Sequence, residues 1–430
     1  MDTTPFHFIL IALDVFLCSG LYFWLRFRRN TLPDRSAVRD FERHLFVPQT
    51  HFRKPSLLWD ISGVILFGGF GICVFAFLSR LIFTDYVQNR VYYFNVGQCI
   101  VEGAVYHGTF MLLMTALLLR RNRRGKCAVT ALIAAVMLAG FGFDILYREP
   151  YLLKVEYYEI RSEKITQPLR IVFVADIQTD RIGSHERRTL QKIQQQEADL
   201  IILGGDYIQT YRGTREKHLP EKFRQLLLDY PLQAPLGVYA VAGNIGSRIG
   251  DARLFQGTGV EFVPDTKVFE NLGAKESDPE NGIGPIDLIL LSLSDSIGNL
   301  EKRGYTDRRN FLVMVGHYPN YAADGFTYKG KLIPGYRKAE HAPDLMLAGH
   351  THGCQIVIPF YGPYPYGGDH FVRQTPPHLR LGFHEYPNGG HLLVSRGSGM
   401  ERGWAPRIRF CCPSEISVID LVPKPQSKPK

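Results

Sequence analysis

Apolar positions along this chain fall into two regimes. Before residue 150 they form long unbroken stretches, near Phe6 to Trp24, Leu57 to Phe83, Gly103 to Leu119 and Ala128 to Tyr147. Each is long enough, at about 20 residues, to span the hydrocarbon core of a bilayer, which predicts a four-helix transmembrane region over residues 1–150. After residue 150 the apolar runs are short and bounded by glycine or alanine: LRIVFVA ending at Ala175, DLIILGG at Gly205, GVYAVAG at Gly243, FLVMVG at Gly316 and DLMLAG at Gly349. Runs that are apolar at consecutive positions predict strands buried on both faces, as in α/β sheets.

Val155 to Pro168 reads as a leading strand and turn, Arg187 to Glu197 as a helix between the first two runs, and Pro220 to Leu228 as a second helix. Such alternation over about 270 residues predicts one large α/β domain, residues 151–422, with a substantial core. Gly273 to Gly284, rich in Asp, Glu, Gly and Pro, reads as a surface loop, and residues 423–430 as a disordered tail. The chain has no internal repeat and no Walker-type phosphate loop.

The residue after each of the five runs is one that binds metals: Asp176, Asp206, Asn244, His317 and His350, with His352 two positions further on. Ligands of open α/β sheets gather at the carboxyl ends of strands, so the pattern converges six such side chains on one edge. Taken singly they are weak. An Asp after a strand is an ordinary turn or cap, Asn-Ile-Gly at Asn244 an ordinary loop, and His317 before Tyr-Pro an ordinary loop histidine. Gly349 to Gly353, GHTHG, is specific alone, because flanking glycines leave the backbone free to turn both rings inward. Carboxylates with neutral imidazoles suit divalent ions of the Mn, Fe or Zn type.

With these motifs the chain resembles the calcineurin-like metallophosphoesterases. That family strings together D-x-H, G-D, G-N-H-D, an H after a strand and G-H-x-H. Here these stand as AspIleGln from Asp176, GlyAspTyr from Gly205, GlyAsnIleGly from Gly243, His317, and GlyHisThrHis from Gly349. The resemblance covers residues 155 to 422. It is closest to a membrane-associated bacterial phosphodiesterase branch, through AGHTHGCQ at 348–355 and VSRGSGMERGWAPRIRFCCPSEI at 394–416. It implies a sandwich of two central sheets flanked by helices, and two divalent metal ions bridged by Asp206. Asp176, Gln178 and His352 would complete one site, and Asn244, His317 and His350 the other. Asp206, Asn244 and His350 would take part in catalysis. Two cations about 3.5 to 4 Å apart activate a bridging hydroxide for in-line attack at phosphorus, and no protein nucleophile is needed.

Two departures bear on that mechanism. Gln178 replaces the histidine of D-x-H and offers an amide oxygen, which weakens the first site for a borderline metal. Ile245 and Gly246 replace the His-Asp pair of G-N-H-D, so no imidazole assists the leaving group there. Losing a positioned general acid costs about 10²- to 10⁴-fold, which esters with good leaving groups tolerate best. Asp206 is followed by Tyr207 and Ile208, so no substitute histidine stands beside it, and His185 and His218 read as solvated loop histidines. The rival reading is a catalytically degenerate relative that binds metal or phosphate without turnover.

Charge orients the membrane region. The formal net charge of +9 is more than matched by two arginine-rich loops: Arg26, Arg28, Arg29, Arg35, Arg39 and Arg43 after the first span, and Arg120, Arg121, Arg123, Arg124 and Lys126 between the third and fourth. Both loops are expected in the cytoplasm, which explains the charge without nucleic acid and puts the catalytic domain outside. The first span has no basic residue before it and reads as an anchor, not a cleaved signal. Asp14 and Asp144 carry charge at or near the membrane, and neither is assigned a transport role. Cys18, Cys73, Cys99 and Cys127 lie in or beside the spans, and an oxidising compartment would permit a bridge from Cys354 to Cys411 or Cys412. PFYGPYPYGGDHF, residues 359–371, reads equally as a stiff aromatic lip able to dock on lipid or hold an acyl chain and as a self-packed surface loop. The expected partners are the lipid bilayer and a lipid-linked phosphoester. A nucleotide-linked acyl-sugar, as cleaved by relatives, conflicts with the outward location. Oligomeric state is not encoded in any feature of the sequence.

Overall fold

The computed structural model describes residues 96–424, less 122, 210–217, 246–247, 275–284, 294, 296–299, 301–303, 305–308, 320–324, 329–330, 335–342, 366–374, 387–388 and 402–406. The first two expected spans with Asp14 and their arginine loop, most of the 273–284 loop, Gly246, the far half of the aromatic lip and residues 425–430 lie outside this set. The chain divides into two compact units, Met1–Phe143 and Asp144–Lys430.

In the first unit α1 (Val96–Arg121) and α2 (Gly125–Phe143) form a helical hairpin. Gly142 meets Val105 and Gly108 meets Leu138, close approaches that side chains on these glycines would obstruct. Val129, Ile133, Val136 and Met137 of α2 are exposed, so this helix shows an apolar face to its surroundings. Among the described residues one helical run, Gly125–Tyr151, is long and apolar enough to cross a membrane. The third expected span is helical too, within α1, but does not reach that mark.

The second unit is built on two six-stranded mixed sheets. The first contains β1 (Leu153–Ser162), β2 (Leu169–Val174), β3 (Leu200–Leu203), β4 (Val238–Val241), β5 (Glu261–Val263) and β16 (Ser414–Pro423), in the order β1-β16-β2-β3-β4-β5. The second contains β6 (Lys267–Leu272), β7 (Ile286–Leu290), β8 (Phe311–Val315), β11 (Leu345–Ala348), β14 (Gly382–Glu385) and β15 (His391–Val394), in the order β14-β15-β11-β8-β7-β6. Two hairpins stand apart, β9 (Gly325–Tyr328) with β10 (Lys331–Pro334), and β12 (Val357–Ile358) with β13 (Gly362–Pro363). All five glycine-bounded runs are strands, and within each sheet they lie parallel to one another.

Alternation within the runs sorts their side chains to opposite faces. Ile171 and Phe173 of β2, with Leu200 and Ile202 of β3, meet Val313 and Val315 of β8 and Leu345 and Leu347 of β11 between the sheets. Val172, Val174, Ile201 and Leu203 face the other way, against α3 (Ser184–Gln194) and α4 (Leu219–Asp229) through Leu190, Ile193, Phe223 and Leu227. A further short helix, α5 (Arg248–Phe255), adds Leu254 and Phe255 to this layer. The outer face of the second sheet packs Leu312, Met314, Met346 and Leu392 against Leu300 and Leu379. The mixed α/β architecture expected from the runs is therefore present.

Element ends differ from expectation for local reasons. The first helix of this unit begins at Ser184, not Arg187, because the Glu186 carboxylate accepts the Gly183 N–H at 2.7 Å and caps the first turn. It closes at Gln194, ahead of Glu197, whose φ of 50° is left-handed. At the carboxyl terminus β16 runs through Pro423, where the tail was expected to start, and the Lys424 N–H still donates to the Ser162 carbonyl at 3.0 Å.

Candidate metal centre

Five of the seven expected ligands stand on strained turns beyond the carboxyl ends of strands. Asp176, Gln178, Asp206, His350 and His352 have φ of 52°, 35°, 52°, 70° and 50°, in the left-handed region that non-glycine residues avoid. Such strain costs about 1 kcal/mol or more per residue and gathers at functional sites. Cross-loop hydrogen bonds hold the turns: Asp176 N–H to the Gly205 carbonyl at 3.1 Å, Gln178 N–H to Asp206 at 2.7 Å, Gly349 N–H to His317 at 3.1 Å. Gly243 must be glycine, since a Cβ there would collide with the Asp206 carboxylate.

Four of the expected residues meet at one point. The Asn244 Oδ1 lies 2.7 Å from Nε2 of His317 and 2.8 Å from Nδ1 of His350. Asp206 Oδ2 lies 3.3 Å from the same His317 nitrogen, while Asp206 Oδ1 accepts the Ile245 N–H at 2.7 Å. One ligand atom from each of Asp206, His317 and His350 falls within 4.8 Å of the others, a spacing that could hold a metal ion. The tautomer of His317 decides the chemistry. Its Nδ1 donates to the Gly204 carbonyl at 2.9 Å, so in the neutral ring Nε2 is a lone pair aimed at an amide oxygen and a carboxylate. Three acceptors crowded at one point repel one another unless positive charge stands between them. A proton supplies it here: burial pulls the His317 imidazolium down, but the Asp206 carboxylate overrides this and raises the pKa to about 9. A divalent cation supplies the same charge, so the donor set fits one.

Asp176 and His352 lie beside this group. The Asp176 carboxylate accepts the His350 N–H at 2.8 Å, and His352 Nε2 stands 4.0 Å from its Oδ1. Burial, joined by the charge of Asp206, pushes Asp176 up to about 8, against the pull of His317. His350 and His352 are driven the other way. Burial lowers both, helped by the His317 charge at His350 and by Arg409 at His352, so both rings are neutral donors of the kind metals bind. Nδ1 of His352 is buried with no hydrogen-bond partner among the described residues.

Gln178 is 1% exposed and differs from the rest. Its Nε2 donates to Glu401 Oε2 at 2.6 Å, and its Oε1 is buried with no hydrogen-bond partner among the described residues. Glu401 was not singled out in the sequence, and neither was Arg409. The Arg409 guanidinium, fully buried, donates to the carbonyls of Cys412 at 2.7 Å, Arg396 at 2.9 Å and Gly399 at 2.5 Å. It thereby braces the loop whose Ser398 and Gly399 N–H groups reach Ala175 and Asp176. Their only signal was membership of the 394–416 stretch.

Ile245 reaches the centre through its backbone N–H. Tyr207 turns into the core, its hydroxyl donating to the Val241 carbonyl at 2.6 Å and its ring centroid 4.7 Å from that of Phe255 in an edge-to-face arrangement. His218 is exposed, as expected. His185 is not the solvated histidine expected. It is buried on the first turn of α3, with Nε2 against the Ser398 carbonyl at 2.7 Å and Tyr151 edge-on at 5.6 Å, because the Ser398 loop folds over it. Cys354, Cys411 and Cys412 are free thiols, and burial raises the pKa of Cys354 to about 12.

Beside Gln178 opens a cavity of about 370 Å³, lined among others by Tyr151, Arg181, His185, Arg188 and Arg407. Beyond His352 the β12–β13 hairpin carries Ile358, Phe360, Tyr361 and Tyr364, all exposed, with Phe360 wholly so.

Comparison with known proteins bears on this centre directly. Residues 169–354 match the family model described as Calcineurin-like phosphoesterase. The chain is 26% identical over 309 residues to the metallophosphoesterase YkuE of Bacillus subtilis, covering 68% of this chain and 93% of that one. It is 24% identical over 338 residues to the UDP-2,3-diacylglucosamine pyrophosphatase LpxG of Chlamydia trachomatis, covering 69% and 97%. A solved dimetal phosphatase from Danio rerio superposes with a TM-score of 0.32 at 11% identity, over 56% of this chain and 89% of that one, too distant to carry any argument.

Proposed function

We propose, on the premise that this chain is a calcineurin-like metallophosphoesterase, that it is a membrane-anchored enzyme hydrolysing a lipid-linked phosphodiester or pyrophosphate with two divalent cations. The observation that carries this reading is the meeting of Asp206, Asn244, His317 and His350 at a point that demands positive charge. Asp206, with one carboxylate between the two ligand groups, would hold both ions. Asn244, His317 and His350 would hold one, and Asp176, Gln178 and His352 the other. Bound there, the ions would supply an activated water and neutralise charge on the phosphoryl oxygens.

The chain's own residues do the rest. Neutral His350 and His352 keep their lone pairs available at physiological pH. Arg181, Arg188 and Arg407 on the cavity wall would hold the flanking anionic groups of the substrate, and about 370 Å³ admits a group of phosphosugar size. The exposed aromatic hairpin would dock on lipid, where aromatic rings favour the interface. The name of the LpxG relative, a pyrophosphatase acting on a diacylated UDP-sugar, supports a lipid-bearing pyrophosphate. We place residues 1–150 in the membrane as four spans and the catalytic domain of 151–422 outside the cytoplasm. That orientation favours a lipid-linked over a nucleotide-linked substrate.

A second reading, a degenerate relative that binds metal or phosphate without turnover, is favoured by Ile245, which brings only a backbone N–H to the centre. Hydrolysis of bis(p-nitrophenyl) phosphate by the full-length protein with added Mn²⁺ separates the two, since that leaving group hardly needs an acid. Activity that falls about 10³-fold or more in Asp206→Asn supports the enzyme. Absence of activity in folded, metal-loaded protein establishes the second reading.

A further inference from the structure

Glu401 lies where three glutamines from three loops meet. Its Oε2 accepts from Gln178 Nε2 at 2.6 Å, its Oε1 accepts from Gln209 Nε2 at 3.3 Å, and its own N–H donates to Gln355 Oε1 at 2.6 Å. Each glutamine stands two or three positions after an expected ligand, Asp176, Asp206 and His352 in turn. A carboxylate only accepts hydrogen bonds, so it admits one orientation of the Gln178 amide: the NH₂ toward Glu401 and the carbonyl oxygen away from it. That oxygen is buried without a hydrogen-bond partner among the described residues. Burying an acceptor unmet is costly unless something positive meets it.

We propose that Glu401 is a positioning residue that turns Oε1 of Gln178 onto the divalent cation shared with Asp176 and His352, making an amide oxygen a ligand of that ion. This rests on the two-cation reading above. The histidine missing from D-x-H is thus replaced by a built oxygen donor, not lost. With Asp176, Asp206 and Gln178 supplying oxygen against a single imidazole, this half favours Mn²⁺ over Zn²⁺ more than the half with two imidazoles does.

The test is calorimetric titration of the full-length protein in detergent with Mn²⁺ alone, comparing wild type, Gln178→Ala, Glu401→Ala and the double variant. Wild type is expected to bind two ions. Glu401→Ala weakens one of them by about 10- to 100-fold and leaves the other unchanged, as for other groups that orient a metal ligand. Gln178→Ala weakens the same ion at least as far, and the double variant is no weaker than Gln178→Ala, because Glu401 acts only through Gln178. Glu401→Gln, which keeps an oxygen for Gln178 Nε2, recovers most of the affinity. Two ions bound with Glu401→Ala indistinguishable from wild type, or losses that simply add, overturn the inference and leave the proposed function standing. A wild type that binds fewer than two ions overturns the two-cation reading itself. Should Glu401→Ala fail to fold by circular dichroism, Glu401→Asp takes its place, with a loss of about 10-fold expected at the same ion and unchanged affinity again overturning the inference.

Discussion

The two halves of the proposed metal centre are held together by different means. Around Asn244 the donor atoms touch one another, and each side chain follows directly from a strand end. Around Asp176 the donors are held by third parties: the His350 N–H, the Glu401 carboxylate, and the 396–399 loop braced by Arg409. The first kind of half tolerates changes in its surroundings and fails when a ligand is lost. The second can be dismantled without touching a ligand.

Ligand removal gives the widest separation. His317→Ala is expected to lower hydrolysis of bis(p-nitrophenyl) phosphate by about 10³-fold, and Gln178→Ala by only about 10- to 10²-fold, since one takes a charged keystone and the other a neutral oxygen. Equal losses would mean the halves are equivalent. Next in size is Ile245→His, expected to raise the rate on an alkyl phosphodiester by about 10²-fold while changing the nitrophenyl ester little. A uniform gain on both would show that the leaving group was never the obstacle.

Protonation separates the halves further. His317 is raised from 6.5 to about 9, and Asp176 from 3.8 to about 8, so the folded, metal-free protein holds both protons more tightly than the unfolded chain. Their contribution to stability is fully present below the unfolded values and is lost as pH rises through about 8 for Asp176 and about 9 for His317. The melting temperature of chelator-treated protein should therefore fall between pH 6 and pH 9. Cations compete with these protons, so apparent Mn²⁺ affinity should rise by up to about tenfold per pH unit for each proton displaced. An affinity independent of pH over that range would contradict both assignments. The smallest effect concerns the hairpin beyond His352: in full-length protein reconstituted into lipid bilayers, Phe360→Ser should lower hydrolysis of a lipid phosphodiester a few-fold, with hydrolysis of the water-soluble diester unchanged. An unaltered rate on the lipid substrate would mean that the hairpin does not engage lipid.

The same division decided what could be read from the sequence. Five strands were legible because their side chains are apolar on both faces, and five candidate ligands because each directly follows one of those runs, with His352 two positions beyond the last. Glu401 and Arg409 were not, because each acts on residues about 200 positions away or on carbonyls that every residue carries. His185 was misjudged for a related reason: its burial is imposed by Ser398, far along the chain. The α3 boundary missed by three residues turned on one side chain, Glu186, reaching back to cap Gly183. In the apolar region before residue 150, length and apolarity alone serve, and among described residues they single out Gly125–Tyr151.

The left-handed turns have a consequence for anyone who would engineer this protein. At Asp176, Gln178, Asp206, His350 and His352 a glycine would relieve about 1 kcal/mol of backbone strain and delete a proposed ligand in the same change. A library selected for heat resistance alone would enrich such replacements and drift toward a sturdier, inert scaffold. Those five codons are the ones to hold fixed.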